Sequence, residues 1–150
     1  MTIDRQLIEQ LLAEAATSAR LRKNYDLRDA ETDQSQRMLN ALMPGTELPI
    51  HRHIDSSETV MLLCGCMDEV FFDDNRCETA RHHLDPRQGL YGLQIPKGMW
   101  HTLEVFEPTV ILETKNGTYH PLSPEDILTP STPTPPLEEG AGGRLTYNKE

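Results

Sequence analysis

Three histidines and one glutamate have the residue types and the spacing of a divalent-metal site. His51 and His53 are separated by one residue, Glu58 follows shortly after them, and His101 lies much further along the chain. Because side chains alternate between the two faces of a β-strand, His51 and His53 are predicted to point the same way, roughly 6.5–7 Å apart at the backbone. Three neutral imidazoles and one carboxylate suit one divalent ion. This ligand set fits Zn, Fe, Mn, Ni and Co and does not indicate which of them binds.

The metal prediction depends on the whole set of residues, because a His-x-His pair alone is common among surface imidazoles. The combination of His51 and His53 with His101, a carboxylate and spaced glycines is much harder to reach by accident, and its strand context has to confirm it. Glu58 has two possible roles. It binds the ion directly, or it accepts a hydrogen bond from a ligating histidine and orients that ring.

Turn residues around these positions predict how the chain brings them together. Gly65 follows Glu58, and Pro96 and Gly98 come shortly before His101. Glycine and proline at such positions allow the chain to reverse. We therefore expect Glu58 and His101 to reach the site from strands other than the one that carries the first two histidines.

Residues from about Arg37 to Lys115 show the pattern of an antiparallel β protein. Short apolar runs are separated by turn residues at the spacing of a small barrel or sandwich. The runs are RMLNAL, ELPIHRH, TVMLLC, EVFFDD, LYGLQIP, HTLEVF and TVILETK. The predicted fold class is therefore mainly β, a small antiparallel β-barrel or jelly roll.

Helices are predicted on both sides of the strands. Residues from Asp4 to about Arg20 have the apolar spacing of an amphipathic helix, with Thr2 or Asp4 as its cap. Ser123 begins a predicted short C-terminal helix. The expected organisation is an N-terminal helical extension at 1–24, a metal-binding barrel at 25–128 and a flexible Pro/Gly-rich tail at 129–150.

The first group of site residues resembles a known family. The spacing Gly45-x5-His51-x-His53-x4-Glu58-x6-Gly65 resembles the first motif of the cupin superfamily at every fixed position. This resemblance implies a metal-binding barrel. Small cupin barrels commonly pair through their sheets, so by analogy we expect a homodimer.

The second cupin motif is matched in part. Pro96, Gly98 and His101 stand where the motif has them, whereas Gly89 lies one residue too far upstream and Val105 replaces an asparagine found in many cupins. Neither departure removes a predicted ligand.

A narrower resemblance, from about residue 20 to residue 128, is to the cupin fold metalloproteins of the WbuC family. It lies in RLRKNYDL, QRMLNALMPGTELPIHRH, ETVMLLCG, VFFDD, YGLQIPKGMWHTLEV, TVILETKNGTY and PLSPEDIL. That family is associated with bacterial surface-polysaccharide gene clusters, and its chemistry is poorly defined. The resemblance therefore implies a metal-binding barrel, and it does not supply a reaction.

Two classes of function fit these residues. The first is a metal-dependent enzyme acting on a sugar or nucleotide sugar, an isomerase or epimerase in which the ion acts as a Lewis acid, or with Fe(II) an oxygenase. The second is a non-catalytic protein that binds a small ligand through its metal. A base with a raised pKa within reach of the metal would favour the enzyme.

Several polar residues near the predicted strands are candidates for substrate contact. Glu113 ends a wholly apolar run, so it either faces a pocket as the catalytic candidate or lies at a solvated strand end. Lys115 is two residues further on, on the same face, and Arg37 and Tyr91 are the other pocket candidates. Three further histidines in polar or proline-flanked stretches are predicted to lie on the surface, with a ligand role as the minor alternative: His82, His83 and His120.

Composition limits the partners. The chain has 150 residues, one domain by length, and a formal net charge of −10 from 24 acidic and 14 basic residues. This excess argues against binding nucleic acid or an anionic membrane, because neutralising phosphates requires lysine and arginine. The start MTIDRQLIEQ has no signal-peptide pattern, and the longest apolar stretch, 60–67, is too short to span a bilayer. We predict a cytoplasmic protein.

Three cysteines, Cys64, Cys66 and Cys77, fit a reducing compartment. Cys64 and Cys66 would share one face if their strand ran straight through Gly65. A thiolate metal site there is a minor alternative, because two sulfurs without further Cys or His partners do not make a structural zinc site. Burial as small hydrophobic side chains is the favoured role.

Overall fold

A computed structural model describes residues 1–128 of the chain, so the predicted tail at 129–150 lies outside the described residues. The secondary structure of the described part begins with a helix and continues almost entirely in strands. Its elements are α1 (Arg5–Thr17), β1 (Arg22–Asp26), β2 (Ser35–Leu42), β3 (Ile50–His51), β4 (Glu58–Phe72), β5 (Glu78–Leu84), β6 (Gly92–Ile95), β7 (Trp100–Asn116) and β8 (Ile127–Leu128), with 3-10 turns at Pro86–Gln88 and Pro124–Asp126.

The strands form one antiparallel sheet, which confirms the mainly β prediction. The order of hydrogen-bonded neighbours is β1-β2-β7-β3-β8, and β4 pairs with β5, β6 and β7. Within residues 1–128 this sheet does not close into a barrel; it has the form of a cupin-like sandwich. The predicted C-terminal helix is a single 3-10 turn, and Ser123 makes no side-chain capping bond there.

Helix α1 covers the outer face of the sheet. The Asp4 carboxylate caps its first turn by accepting a hydrogen bond from the Leu7 amide at 3.0 Å, as the sequence predicts. Leu11 and Ala15 are fully buried against Leu39, Ala41 and Val110. The helix ends at Thr17, and β1 already begins within the range 1–24 that the sequence assigns to the extension. No helix in the described part is long and apolar enough to cross a bilayer.

The two longest strands, β4 and β7, each join two of the predicted apolar runs. The prediction that Gly65 reverses the chain is wrong, because Gly65 lies inside β4 with φ +94°, among register shifts from Leu62 to Met67. A Cβ atom at Gly65 would lie 2.2 Å from the Thr109 hydroxyl oxygen, so only glycine fits there. Such bulges bend a strand without reversing it, which also removes the straight path that Cys64 and Cys66 would need to share a face.

Strand β5 was not among the predicted runs, because its sequence ETARHHL is mostly polar. Among residues 1–128 it pairs only with β4, and most of its side chains are exposed. An edge strand needs little apolar burial, which explains the weak sequence signal. The inner faces of the strands enclose the main core. It contains Leu42, Val60, Leu62, Met67, Phe71, Leu84, Ile95, Val105 and Ile111.

Candidate metal centre

His51 and His101 lie directly opposite each other on β3 and β7. In each ring Nδ1 is 2.9 Å from a backbone carbonyl oxygen, that of Pro49 for His51 and that of Met99 for His101. A carbonyl oxygen only accepts hydrogen bonds, so Nδ1 must carry the proton, and Nε2 of each neutral ring keeps its lone pair. Two imidazoles are therefore fixed in the tautomer that binds a metal through Nε2.

His53 completes the group although it lies beyond the end of β3. The chain is held there because the Gly98 amide donates a 2.8 Å hydrogen bond to the His53 carbonyl, so the predicted turn at Gly98 does help to assemble the site. The ligand atoms of His51, His53 and His101 all lie within 4.8 Å of one another. The structure thus brings together the three predicted imidazoles.

Burial favours the form of His51 that can bind a metal. Loss of solvent, together with the nearby His101 and His53, lowers the pKa of His51 to about 4, even though the bond to Pro49 acts in the opposite direction. At neutral pH the ring is therefore uncharged, as a metal ligand must be.

Glu58 lies at the start of β4, where its side chain is buried between His53 and His101. Its oxygens are 2.8 Å from Nε2 of His53 and 3.4 Å from Nε2 of His101. Burial opposes ionisation of Glu58, but the neighbouring His101, His53 and Lys115 outweigh it and lower the Glu58 pKa. A carboxylate in this place can bind the ion or orient the rings, so both predicted roles stay open.

Lys115 and Glu113 connect the histidines to the neighbouring strand. Lys115 is the register partner of Glu58, and its Nζ lies 2.6 Å from Glu58 Oε1, 3.3 Å from Glu113 Oε1 and 3.3 Å from His53 Nε2. The Asn40 amide donates a 2.7 Å hydrogen bond to the other Glu113 oxygen. Both oxygens of Glu113 are thus held, and the residue faces the site rather than a solvated strand end.

The charges of this network change the pKa of both residues. Burial, and then the nearby negative charge of Glu58, raises the pKa of Glu113 to about 7, although Lys115 acts against the rise. Burial lowers the pKa of Lys115, but Glu113 and Glu58 outweigh burial and raise it. Lys115 is therefore a buried ammonium ion between carboxylates.

A cavity of about 60 Å³ opens beside the histidines. Three carboxylates line it, from Glu58, Glu113 and Glu69, and the sequence analysis missed the last of these. Burial, followed by the charges of Glu58 and Glu113, raises the pKa of Glu69 well above its usual value. The other lining residues are Leu48, His51, Val60, Ile95, His101, Thr102, Leu103 and Ile111.

The remaining substrate-contact candidates lie away from this cavity in the described structure. Arg37 forms ion pairs of 3.2 Å with Asp29 and with Asp33. The Tyr91 side chain is exposed, and neither it nor Arg37 lines the cavity. Their predicted contact with a substrate remains untested.

The donor set fits a divalent cation. Two Nε2 lone pairs are preset by backbone carbonyls, a third imidazole lies within reach, and a buried ionised carboxylate adds negative charge. Imidazole and carboxylate ligands together suit several first-row metals, so the identity of the ion stays open.

Comparison with family models gives one match. Residues 3–84 match the model of a family described as a domain of unknown function (DUF6016). No protein in a search of curated proteins matches the chain.

Solved structures share the fold. The capsular polysaccharide assembling protein CapF from Staphylococcus aureus is 20% identical over 70% of this chain, with a TM-score of 0.59, and the chain spans only 30% of CapF. A cupin 2 domain-containing protein from Halorhodospira halophila is 19% identical over 63% of each chain, with a TM-score of 0.51. An oxalate oxidase in complex with the substrate analogue glycolate is 15% identical over 69% of this chain and 55% of its own length, with a TM-score of 0.55. These likenesses show the cupin fold; the narrower WbuC resemblance stays a prediction.

Proposed function

We propose that this chain, which belongs to the DUF6016 family of domains of unknown function, is a cupin that binds one divalent metal ion and acts on a small polar molecule. The observation that carries the proposal is the convergence of the ligand atoms of His51, His53 and His101 to within 4.8 Å of one another beside a cavity lined by carboxylates. We keep Zn, Fe, Mn, Ni and Co as candidate ions, and we propose a cytoplasmic homodimer.

The substrate class that we propose is a sugar or nucleotide sugar used in surface-polysaccharide synthesis. The name of the structural neighbour CapF, a capsular polysaccharide assembling protein, supports this class. The cavity volume of about 60 Å³ has room for only a few water molecules. Only the reacting end of a sugar fits such a space, so the rest of the molecule must lie outside the cavity.

The chemistry that we propose is isomerisation or epimerisation next to a carbonyl group. A divalent ion held by the three histidines would supply Lewis acidity to that carbonyl oxygen. Glu113 takes the proton from the adjacent carbon through a carboxylate oxygen and returns it to the same or the neighbouring carbon. Asn40 and Lys115 orient this carboxylate, since each holds one of its oxygens. The presence of a buried carboxylate beyond the ligands favours an enzyme over a simple binding protein.

Deuterium exchange tests this proposal directly. Metal-loaded protein is incubated in D2O with a panel of keto sugars and nucleotide-linked keto sugars, and mass spectrometry measures deuterium bound to carbon. We expect exchange with at least one class, reduced about 10²- to 10⁴-fold in Glu113→Gln, which removes the base but leaves the three histidines. The matched control Glu9→Gln alters an exposed glutamate of α1 and should exchange at the wild-type rate.

The outcomes of this experiment separate the alternatives. Exchange in Glu113→Gln at the wild-type rate would remove Glu113 as the base. Metal and ligand binding without exchange across the whole panel would favour the non-catalytic binding protein. Oxygen uptake by the iron-loaded protein with the same panel, in place of exchange, would assign redox chemistry to the site. Loss of both the metal and the deuterium exchange in a His51→Ala/His53→Ala double variant would establish that the exchange depends on this centre.

A further inference from the structure

A second group of metal-binding side chains lies at the edge of the sheet, where β4 meets β5. The ligand atoms of Cys66, His83 and Asp85 all lie within 4.8 Å of one another. Cys66 and Asp85 are buried, whereas His83 is open to solvent, so an ion could enter from outside. We call these three residues the thiol cluster.

The thiol cluster faces away from the metal centre. On β4, Met67 lies in the core and Glu69 lines the cavity, so the intervening Asp68 points to the opposite face. Asp68 pairs in register with His83 of β5 and contacts it there. The thiol cluster therefore uses none of the residues assigned to the proposed reaction.

Two of the donor atoms already have the separation of metal ligands. Cys66 Sγ is 3.6 Å from His83 Nε2. A tetrahedral zinc ion with bonds of about 2.3 Å to sulfur and about 2.1 Å to nitrogen would place those atoms ~3.6 Å apart. The pair therefore needs no rearrangement to accept the ion between them.

Asp68 presets the tautomer of His83. The Nδ1 atom of His83 lies 2.7 Å from Asp68 Oδ1, and Arg81 Nη1 holds the other oxygen of that carboxylate at 3.2 Å. With Nδ1 donating to the carboxylate, the neutral ring presents the Nε2 lone pair to Cys66. This carboxylate–histidine pair is the arrangement that orients and strengthens histidine ligands of zinc.

Asp85 supplies the third donor, and its carboxylate is bound by Arg87, which an incoming cation can replace. Its carboxylate accepts hydrogen bonds from the Arg87 amide at 3.0 Å and from the Arg87 guanidinium at 3.0 and 3.1 Å. Arg87 also reaches Glu107 at 3.0 Å, and its side chain is exposed. The guanidinium can therefore leave Asp85 for an incoming cation while staying paired with Glu107.

The electrostatic surroundings disfavour a free nucleophilic thiolate. Burial raises the pKa of the Cys66 thiol, and the negative charges of Asp85 and Glu107 raise it further. The same carboxylates attract a divalent cation, which in turn deprotonates a coordinating thiol. The surroundings thus fit metal binding better than covalent catalysis by Cys66.

We propose that Cys66, His83 and Asp85 form a second, separate metal site that binds Zn²⁺, with a water molecule in the fourth position. A mixed sulfur, nitrogen and oxygen donor set of this kind selects a borderline-soft ion such as Zn²⁺ over Mg²⁺ or Ca²⁺. The bound ion joins β4 to the end of β5 and to the turn that follows. It would stabilise an edge strand that has few buried side chains of its own.

Cobalt substitution tests the proposal, because thiolate-bound Co²⁺ has a charge-transfer absorption that imidazole and carboxylate ligands do not produce. Chelator-treated, reduced protein is titrated with Co²⁺, then with competing Zn²⁺. We expect the wild type to bind two equivalents of Co²⁺, of which one produces the thiolate band. Cys66→Ser should abolish the band and bind one equivalent fewer, whereas Cys64→Ser and Cys77→Ser should keep the band and both equivalents.

Neighbouring residues supply matched variants for the other positions. His83→Gln should lose the band, while His82→Gln, which changes the adjacent histidine packed against Phe71, should keep it. Asp68→Asn should weaken Co²⁺ binding about 10- to 100-fold. Should Cys66→Ser fail to give a folded circular dichroism spectrum, the exposed His83 provides the same test without disturbing the core.

The results also separate the two sites. The His51→Ala/His53→Ala variant should lose the equivalent of Co²⁺ that gives no thiolate band and should retain the equivalent that gives the band. Failure of the proposed metal centre therefore leaves the thiol cluster testable. A band that persists in both Cys66→Ser and His83→Gln, or wild-type protein without any thiolate band at saturating Co²⁺, would overturn the proposal.

Discussion

Replacement of Lys115 by methionine should make the stability of the protein depend on a metal ion. Nζ of Lys115 lies 2.6 Å from Glu58 and 3.3 Å from Glu113, and the lysine side chain is only 11% exposed. Removing one partner of a buried ion pair costs about 3–5 kcal/mol, because the remaining charge is left uncompensated. We expect the lower end, about 3 kcal/mol, since Glu113, with its raised pKa, can take up a proton in the variant.

Thermal unfolding of the metal-free variant measures this cost. For a chain of this length, 1 kcal/mol shifts Tm by roughly 2–4 °C, so Lys115→Met should unfold roughly 6–12 °C below the wild type. Saturating Zn²⁺ should restore more stability to the variant than it adds to the wild type, because a divalent ion replaces the missing positive charge and no longer competes with an ammonium group. Both proteins carry His83→Gln, so that only the metal centre is titrated.

The matched control is Lys97→Met, which removes an exposed lysine from a turn and should change stability by less than about 0.5 kcal/mol. A metal-free Lys115→Met protein as stable as the wild type would show that the buried ion pairs of Lys115 do not stabilise the fold. Equal stabilisation of the two proteins by Zn²⁺ would show that the ammonium group and the ion do not share one site.

Two further predictions concern a charge and a glycine. The pKa of Glu113 is raised from 4.5 to about 7, so its contribution to metal-free stability is present below pH 4.5 and is lost as the pH rises through 7. The difference, 7 − 4.5 = 2.5, corresponds to about 3–4 kcal/mol at ~1.4 kcal/mol per unit. Urea unfolding at several pH values measures how the free energy of unfolding falls as the pH rises. This fall should be smaller in Glu113→Gln and unchanged in Glu9→Gln, and an identical fall in all three proteins would contradict the prediction. Gly65→Ala should cost about 1–2 kcal/mol for its positive φ plus about 1–3 kcal/mol for the clash with Thr109 and Pro108. Gly117 has φ +88° but open space around the new methyl group, so Gly117→Ala should cost only the amount due to positive φ. Equal decreases of the denaturant midpoint in the two variants would contradict the predicted clash at Gly65.

The metal-site histidines could be predicted from sequence because their chemistry restricts the choice of residues. Imidazoles at His51, His53 and His101, with turn residues near them, have few other joint uses, and the structure brings their rings together. The straight-strand argument for His51 and His53 was nevertheless incomplete, since β3 ends at His51 and a hydrogen bond from Gly98 places His53. The residue types predicted the group, and tertiary contacts supply its geometry.

Glu69 could have been found with the alternation rule. Met67 and Phe71 belong to the core, so a residue midway between them on the same strand must face the same way. A charge at a core position of a β pattern is itself an indication of a functional cavity.

The thiol cluster could not be predicted, because it depends on pairing between strands. His83 lies on a polar edge strand without an apolar signal, and its contact with Cys66 comes from the register of β5 against β4. The bulge at Gly65 then separates the side chains of Cys64 and Cys66. Cross-strand register is a non-local property, which a single sequence with weak periodicity does not specify.

Anomalous diffraction from crystals of the purified protein tests whether the three histidines hold a metal ion. We expect one anomalous peak beside the cavity, at about 2.0–2.2 Å from a ring nitrogen of each of His51, His53 and His101. X-ray absorption edges of the same crystals would identify the ion. Rings turned outward with no anomalous density between them, in protein supplied with divalent metals throughout purification, would show that this group is not a metal centre.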